Sequence, residues 1–491
     1  MDAAVAAAAV LAVVEPMMTG IGGDAFFLYY ENDTRTVFAL NGSGRSPAGL
    51  SAKQVRTSGE EAIALDSWMS VTVPGAVDAW CEGMRRFGRL PLAEVLQPAI
   101  HYAAEGFPVT EVVHSTWTSY ADRLLADSQA RKTYLVDDRA PELGSVFRNP
   151  RLADSLAAIA DRGRDAFYTG AIAEEIVRYA QKEGGYLAEE DFADHHSEWV
   201  EPLSVTYRGY EVLQIPPNGQ GIGVLLMLNL LEGYDLPSLG HNSPEYLHLL
   251  VEVKKLAYAD LHRWVADSEP GVELPIAKLL SKDYAAERIR AVDPNRAANA
   301  VESGIERGGD TVYLTAIDPQ GNSVSFINSL FDAFGAKKVG GETGILLQNR
   351  GCGFSLEPGH LNEYAPGKRP YHTILPGMVR SGGKLYLSYG LMGGPMQPQG
   401  HVQFLLSHLD FGLGIQEAVD TPRWRHTTGT ELLLEHGTPR STIEALRLLG
   451  HTVVPSHGSL FGGAQAILVD PGTGTYFGAS DPRKDGMALG Y

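Results

Sequence analysis

The chain has 491 residues, of which 44% are apolar and 20% are charged, and this is the composition of an ordinary globular protein. Disordered, collagen-like and coiled-coil chains are therefore excluded. Its 40 basic and 59 acidic side chains give a net charge of −19, which argues against a protein that grips nucleic acid through a basic surface. We expect no nucleic-acid partner.

The acidic excess belongs to the first part of the chain. Residues 1–310 carry 27 basic and 45 acidic side chains, whereas residues 311–491 carry 13 and 14. We interpret the excess as a solubilising surface, with an acidic docking face as the alternative.

Neither cysteine suggests a metal or a disulfide framework, because Cys81 and Cys352 belong to no CxxC pair or Cys/His cluster. No run of about 18 apolar residues predicts a membrane span. The Ala/Val-rich start, residues 1–14, resembles the apolar part of a signal peptide, but Asp2 stands where a basic residue belongs. We predict a buried helix there and a cytoplasmic rather than a secreted protein.

The early run Gly20-Ile-Gly-Gly-Asp-Ala25 matches GxGxxA but follows the predicted helix and precedes the strand-like run 26–30. A dinucleotide fingerprint has the opposite order, so we predict a helix-to-strand turn. Residues 75–310 are mainly helical in pattern. The predicted elements are a helix after Val73-Pro74-Gly75, another over 98–105, a strand over 207–215, a Gly-rich turn over 216–221, a helix from the N-cap Ser243 to about 266, and an accessible connection over 290–310.

After residue 310 the sequence pattern changes from mainly helical to one with many strand-like runs. A hairpin is predicted from a strand over 311–317, a turn over 318–322 and a strand over 323–327. Further predicted strands are 344–347, 384–389, 431–434, 464–469 and 475–478, and further helices lie near 397–409, 415–420 and 440–449. This order predicts helical layers around antiparallel sheets.

The candidate nucleophile is a threonine at the first position of a strand. Thr311 directly follows Gly308-Gly309-Asp310, and no GxSxG, HExxH, P-loop or EF-hand motif occurs elsewhere. A threonine hydroxyl needs a base beside it, and an α-amino group on the same residue, with a pKa of about 7.7–8.0, can serve. Only cleavage of the bond before Thr311 would create that amine.

Several short stretches spread along the chain form a recognisable set: Asp2-Ala-Ala-Val-Ala, Gly20-Ile-Gly-Gly, Val73-Pro-Gly75, 96–109, Tyr207-Arg-Gly-Tyr210, Ala257-Tyr-Ala-Asp260, Gly344-Ile-Leu-Leu347, Lys368-Arg-Pro370, Gly393-Gly394 and Gly478-Ala-Ser-Asp-Pro-Arg483. With them the sequence resembles the γ-glutamyltransferase family of N-terminal-nucleophile hydrolases over essentially its whole length. The motifs Gly309-Asp-Thr-Val-Tyr313, Asn328-Ser-Leu-Phe331, Gln348-Asn-Arg-Gly351 and His372-Thr373 are similar to those of its oxamate-amidohydrolase and glutathione-hydrolase-like branch. The resemblance implies a four-layer αββα sandwich, no metal or organic cofactor, and a proenzyme that cuts itself into a large and a small subunit. Those subunits would be residues 1–310 and 311–491, intertwined in one structural unit. Other members have a strand and the start of a helix upstream of the position of Met1.

The resemblance also implies roles for individual residues. The nucleophile falls on Thr311, the self-cleaved bond on Asp310–Thr311, and the supporting hydroxyl on Ser329. The backbone N–H groups of Gly393 and Gly394 would form the oxyanion hole, where donors fixed on the backbone need no reorganisation as charge develops. A threonine that merely begins a strand, and a Gly-Gly-Pro that is merely a turn, are the structural alternatives.

The groups that bind a γ-glutamyl substrate in the family are changed here. An asparagine and an aspartate that contact the substrate ammonium align with Phe331 and Gly353, and an arginine that grips the carboxylate aligns with Ser43. Without these partners a buried ammonium is costly. We therefore expect acyl-transfer chemistry with a different acyl group.

Arg45 and Arg350 are the candidates for holding a substrate carboxylate, because a guanidinium matches it bidentately; purely structural arginines are the alternative. His372 and Thr373 replace a serine pair of the family and are candidate substrate contacts, although His372 could equally be a structural histidine. Residues 359–368 are short compared with the transferase lid, which would leave an acyl-enzyme open to water.

These observations predict an autoprocessing amide hydrolase that cleaves a small acid amide, oxamate-like or γ-glutamyl-like, through a threonine acyl-enzyme with water as acceptor. The expected partners are this small amide, with a carboxylate, and the two self-derived subunits, with a dimer of these left open. The alternatives are a classical γ-glutamyltransferase or glutathione hydrolase, and an inactive ligand-binding scaffold.

Overall fold

The computed structural model describes residues 1–57, 61–267, 273–299 and 310–490. The strands, numbered in chain order, are β1 (Asp24–Glu31), β2 (Thr36–Gly42), β3 (Phe107–Pro108), β4 (Val146–Phe147), β5 (Glu198–Val200), β6 (Leu203–Tyr207), β7 (Tyr210–Gln214), β8 (Asp310–Ile317), β9 (Ser323–Phe331), β10 (Pro376–Ser381), β11 (Lys384–Met392), β12 (Trp424–His426), β13 (Glu431–Glu435), β14 (Thr452–Ser456), β15 (Gly463–Val469) and β16 (Tyr476–Ser480).

The helices are distributed on both sides of the sheets. In chain order they are α1 (Asp2–Val14), α2 (Ala52–Thr57), α3 (Ala76–Phe87), α4 (Leu92–Glu105), α5 (Glu111–Leu124), α6 (Ser128–Tyr134), α7 (Pro150–Arg162), α8 (Arg164–Tyr168), α9 (Ala171–Lys182), α10 (Glu189–Ala193), α11 (Ile222–Leu231), α12 (Leu236–Leu239), α13 (Pro244–Trp264), α14 (Ile276–Leu279), α15 (Lys282–Arg288), α16 (Met396–Leu409), α17 (Ile415–Asp420) and α18 (Arg440–Leu448). Among the described residues, none of these helices has the length and apolar character needed to cross a membrane.

Two antiparallel sheets form the centre of the molecule. The first has the strand order β5-β2-β1-β9-β8, and the second has the order β16-β15-β11-β10-β7-β6. Smaller sheets pair β12, β13 and β14, and β3 with β4.

Side chains on the two faces of β1 enter different cores. Phe26 and Leu28 pack with residues of the second sheet, such as Met378, and with helices α11, α13 and α16. Phe27 points the other way, into a core that it shares with α1, α3 and α4, because successive side chains of a strand face opposite sides. The order helices, sheet, sheet, helices confirms the predicted four-layer αββα sandwich.

Both sheets mix strands from before and after Thr311. In the first sheet β9 lies between β1 and β8, and in the second sheet β10 pairs with β7. A cut at the start of β8 would therefore leave two pieces that share hydrogen-bonded ladders on both sheets.

Several predicted elements are confirmed with their local causes. Helix α13 begins after Ser243, whose Oγ accepts a hydrogen bond from the Tyr246 N–H at 3.1 Å and so caps the helix. The hairpin after residue 310 is present as β8 and β9, with the turn closed by a hydrogen bond from the Asp318 N–H to the Asn322 carbonyl oxygen.

Other predictions were wrong or incomplete. The strand predicted over 207–215 begins inside a hairpin. Strand β6 ends at Tyr207, and β7 begins at Tyr210, because Arg208 and Gly209 take left-handed φ values of 51° and 84° and turn the chain between the two strands. Residues 344–347 contribute only an isolated bridge between Val339 and Leu346, since Gly344 ends a short 3-10 turn in the left-handed region. Strand β10 was missed because its Pro376-Gly377 start reads as a turn. Of the predicted connection over 290–310, residues 300–309 lie outside the described residues.

Candidate active site

Thr311 lies in an irregular part of the first sheet. Val312 pairs with Asn328, but Asp310 pairs with Phe331, so both Ser329 and Leu330 lie opposite Thr311. Such a bulge re-aims the neighbouring side chains. Phe331 also has a φ of 82°, which is strained for a residue with a Cβ, and strain of this kind concentrates at functional sites.

The hydroxyl groups of Thr311 and Ser329 are in direct contact inside the protein. Thr311 Oγ1 donates to Ser329 Oγ at 3.1 Å, and the two side chains are 2% and 0% exposed. Ser329 Oγ also accepts from Arg350 Nη2 at 2.7 Å and from the Phe331 N–H at 2.8 Å. Because these N–H groups hold Ser329 in place, its oxygen is fixed beside the candidate nucleophile.

Arg350 brings a buried positive charge to this pair of hydroxyls. Its Nη1 donates to Thr373 Oγ1 at 2.7 Å, while Nε is buried without a hydrogen-bond partner in the described part of the chain. No carboxylate among the described residues forms an ion pair with it. Burial lowers the pKa of Arg350 to about 10, with Asp24 and Cys352 opposing the shift, so the guanidinium stays charged at neutral pH.

A buried carboxylate, Asp24, lies at the beginning of β1 and faces the site from the other side. It accepts hydrogen bonds from the N–H groups of Gly44 and Gly75, from Gln348 Nε2 at 2.8 Å and from His372 Nε2 at 3.0 Å. These donors come from both parts of the chain, so Asp24 joins the region before Thr311 to the region after it.

His372 is neutral in this environment. Burial, together with the charge of Arg350, lowers its pKa to about 4, and Asp24 opposes the shift. A neutral imidazole has one N–H, and the Asp24 carboxylate is the acceptor for it. His372 therefore belongs to a buried network, whereas its neighbour Thr373 lines the cavity described below.

Gly393 and Gly394 form the turn between β11 and α16. Their φ values of 124° and 57° lie in the left-handed region that favours glycine. Gln220 Nε2 donates to the carbonyl oxygens of Gly394, at 3.0 Å, and Thr373, at 2.6 Å. Within the described residues no hydrogen bond engages the N–H of either glycine, so both N–H groups are available to an oxyanion.

A cavity of about 330 Å³ opens beside this network. Phe331, Arg350, Thr373 and Pro395 are part of its wall and connect it to Ser329 and to the glycine turn. Gly353, which aligns with the family's aspartate, also lines it. Two of the wall residues, Phe331 and Arg350, donate hydrogen bonds to Ser329, and Ser329 contacts the candidate nucleophile Thr311.

A second cavity, of about 380 Å³, lies along β8. Its wall includes Thr311 itself, the residues Ala3, Ala7 and Leu11 of α1, and residues 484–489. The hydroxyl of Thr311 is bonded to Ser329, which is bonded in turn to Arg350, so the cavity beside Arg350 is the better candidate for a substrate.

Arg45 lies away from that cavity. Its guanidinium is paired with Glu198 at 3.1 Å and with Asp267 at 3.2 Å, and its side chain is 37% exposed. With two carboxylates already bound, Arg45 has little capacity left for a substrate carboxylate. Of the two candidate arginines, only Arg350 lines the cavity.

Sequence reasoning missed several residues that surround the site. Asp24 was treated only as part of a turn, although a carboxylate next to three glycines in a buried segment is a signal of hydrogen bonding to backbone N–H groups. Gln220 was noted only within a Gly-rich turn. His262 and Tyr371, which line the cavity, carry no motif that would have identified them.

One group of side chains in the described part of the chain could hold a metal ion. His248 Nδ1 lies 2.8 Å from His451 Nε2, and Glu252 is close to both. The carboxylate of Glu252 is already paired with Lys255 Nζ at 2.7 Å, so a divalent cation would meet an ammonium group. This group shares no residue with the cavity beside Arg350.

Comparison with known proteins agrees with this architecture. Residues 1–491 match the family model described as gamma-glutamyltranspeptidase. The chain belongs to this family. It is 42% identical to the glutathione hydrolase-like YwrD proenzyme of Bacillus subtilis, over 100% of this chain and 93% of that protein.

Two further similarities cover the whole chain. The oxamate amidohydrolase proenzyme of Klebsiella pneumoniae is 34% identical over 100% of this chain and 94% of its own length. The crystal structure of a cephalosporin acylase from Bacillus halodurans superimposes with a TM-score of 0.94 at 40% identity, over 100% of this chain and 91% of that one. The family resemblance and its branch, inferred from the motifs, are thus confirmed.

Proposed function

We propose that this member of the family is an autoprocessing amide hydrolase with Thr311 as its nucleophile. The observation that carries the proposal is the buried contact between Thr311 Oγ1 and Ser329 Oγ, with the Arg350 guanidinium bonded to the same oxygen. A threonine that merely began a strand would not require a buried cation bonded to its hydroxyl partner, because burying such a charge is costly.

Self-cleavage would begin with attack of Thr311 Oγ1 on the carbonyl carbon of Asp310. The C–O bond forms as the C–N bond breaks, and the hydroxyl proton passes to the nitrogen, which gives an ester and a free α-amine on Thr311. Water then opens the ester and releases Asp310 as the carboxyl end of the first piece. The pieces would have 310 and 181 residues, consistent with the length of the chain.

In the catalytic cycle the new α-amine would take the proton of the Thr311 hydroxyl as that oxygen attacks the substrate amide. The oxyanion would accept hydrogen bonds from the N–H groups of Gly393 and Gly394, and one such donor is worth about 3–4 kcal/mol of transition-state stabilisation. The substrate amine leaves with the proton, and water then hydrolyses the acyl-enzyme.

The cavity supports a small amide whose acyl group carries a carboxylate. Arg350 places a charge at its wall without a carboxylate partner in the described residues, and Phe331 and Gly353 stand where the family's ammonium contacts would be. We therefore favour an acid amide without a free ammonium group. This choice agrees with the oxamate amidohydrolase among the similar proteins, because oxamate has a carboxylate and no ammonium group.

The test is the intact mass and the N-terminal sequence of the purified protein. We expect two polypeptides, the second beginning Thr-Val-Tyr, together with hydrolysis of a carboxylated anilide. Thr311→Ala should stay a single chain without activity. Thr315→Ala is the matched control on the same strand, where Thr315 Oγ1 bonds the Val324 carbonyl oxygen, and it should be cleaved normally.

A single uncut chain that hydrolyses amides would contradict the proposal. Faster turnover of a γ-glutamyl anilide than of the anilides of simple carboxylic diacids would favour the classical γ-glutamyl enzyme instead. An uncut, inactive chain that binds a substrate as tightly as Thr311→Ala would favour the ligand-binding scaffold.

A further inference from the structure

Besides Arg350, a second side chain in the wall of the Arg350 cavity, His262, has a buried nitrogen without a hydrogen-bond partner in the described part of the chain. His262 lies near the end of α13, and its Nε2 is buried and makes no hydrogen bond with any described residue. Buried polar atoms are nearly always paired, so an unpaired one calls for an explanation. Because His262 lines the cavity, a ligand in that cavity is a suitable partner.

Two aromatic rings pack near the imidazole of His262, and its environment favours the neutral form. The rings of Tyr258 and Tyr371 lie 6.0 Å and 6.1 Å from it, between centroids. Burial lowers the pKa of His262 to about 4, and the nearby Lys254 and His360 act in the same direction. A neutral imidazole offers one donor and one acceptor nitrogen.

The other residues of the cavity wall indicate which kind of chemical group the cavity would accept. Phe354, Val265 and Leu356 supply apolar surface, and Arg350 supplies a positive charge. The wall also includes two glutamates, Glu61 and Glu357, and both residues are exposed to solvent. Apolar walls with a few convergent polar groups are typical of small-molecule sites, and a cavity of about 330 Å³ is in the range that holds molecules much larger than a two-carbon acid.

We infer that His262 is a specificity-determining residue, which hydrogen-bonds a carboxylate oxygen at the end of an acyl group with an apolar body. This inference rests on the proposed function and names the part of the substrate that the function leaves open. The site would favour acyl groups that extend along the cavity between the Arg350 side and α13. A site built to bind a polar group discriminates strongly against an analogue that lacks it, because its own polar atoms are then left unpaired.

The experiment compares two substrates in four forms of the processed enzyme. The substrates are the p-nitroanilides of a five-carbon diacid, which keeps one free carboxylate, and of the five-carbon monoacid. The enzymes are wild type, His262→Phe, His262→Gln and Arg263→Gln. Arg263 is the matched control, since it is the exposed neighbour on α13.

We expect wild type to prefer the diacid anilide, and His262→Phe to reduce the ratio of the two kcat/KM values about tenfold, which corresponds to about 1.4 kcal/mol. The loss should appear mainly in KM for the diacid substrate. His262→Gln, which keeps a hydrogen-bonding group, and Arg263→Gln should retain most of the preference. Intact mass of each variant verifies cleavage before Thr311.

An unchanged ratio in cleaved, active His262→Phe would overturn the inference and leave the proposed function standing. An equal loss for both substrates would also overturn it, because that is the effect of a purely structural side chain. A wild-type protein that hydrolyses neither anilide would overturn the choice of acyl group together with the role of His262. A wild-type chain that remains uncut would overturn the proposed function itself.

Discussion

Two buried arginines of this protein have opposite surroundings. Arg423 is 3% exposed, and its guanidinium donates to Asp481 Oδ2 at 2.7 Å and to the carbonyl oxygens of Phe461 and Val419. Arg350 is 2% exposed, but its hydrogen-bond partners among the described residues are the hydroxyl oxygens of Ser329 and Thr373. In the described part of the chain, Arg423 is therefore paired with a carboxylate and Arg350 is not.

We propose that the difference is that between a structural and a functional cation. A buried guanidinium without a carboxylate lowers stability, because the cost of desolvation is not offset by an ion pair. Such a cost is retained where the charge stabilises something that forms only during a reaction. Arg350, which touches the candidate nucleophile's partner, fits this second description, and Arg423 fits the first. The following experiments use substitutions that remove one charge at a time.

The largest effect should come from Arg350→Met, which keeps the volume and removes the charge. We expect amide hydrolysis per molecule of processed enzyme to fall about a hundredfold to a thousandfold, the size of effect seen when an electrostatic contact to a transition state is lost. The melting temperature should stay the same or rise, because the cost of burying the charge is removed and no carboxylate among the described residues loses an ion-pair partner. Steady-state kinetics and thermal unfolding measure both quantities.

Arg350→Lys serves as the control, because it keeps the charge but cannot bond both hydroxyls in the same geometry. Its activity should lie between those of wild type and Arg350→Met. Activity of Arg350→Met within threefold of wild type would show that the unpaired charge has no part in the reaction.

Arg423→Met should have the converse effect. We expect the free energy of unfolding to fall by about 3 kcal/mol, because Asp481 would stay buried with less compensation; its remaining ion pair with Arg483, at 3.1 Å, limits the loss. Activity per folded molecule should be unchanged. Denaturant unfolding followed by fluorescence tests the first expectation, and a stability equal to wild type would contradict it.

The smallest effect concerns the pKa of His372. The Arg350 charge contributes to lowering that pKa to about 4, so Arg350→Met should raise it towards the usual value of histidine. Arg423→Met should leave it unchanged. Titration by NMR of ¹³C-labelled histidine, assigned with His372→Asn, gives the value in each variant.

The sign of the accompanying change in stability follows from linkage. The folded-state pKa of His372 lies below its usual value of 6.5, so the unfolded chain binds the proton more readily. The contribution of His372 to stability is therefore complete above about pH 6.5 and is lost as the pH falls towards 4. In Arg350→Met this loss should be smaller. An identical acid dependence in wild type and variant would contradict the coupling.

Much of the fold was readable from local patterns in the sequence. The N-cap at Ser243, the hairpin that starts at Thr311 and most of the helices after residue 390 follow from capping, turn and periodicity signals that act over a few residues. Strand β10 and the turn at Arg208 were misread because a proline and a left-handed residue carry different meanings in different tertiary settings.

The candidate site divides in the same way. The sequence by itself singled out the candidate nucleophile Thr311, the candidate supporting hydroxyl of Ser329 and the glycine pair, because these residues stand in motifs that a family resemblance can identify. Only the tertiary structure decided that Arg350 rather than Arg45 faces the cavity, that Asp24 holds His372, and that no described residue pairs with the buried Nε2 of His262. These facts depend on contacts between residues far apart in the chain, and on which arginines form ion pairs with carboxylates in the folded protein. A local sequence pattern contains neither kind of information.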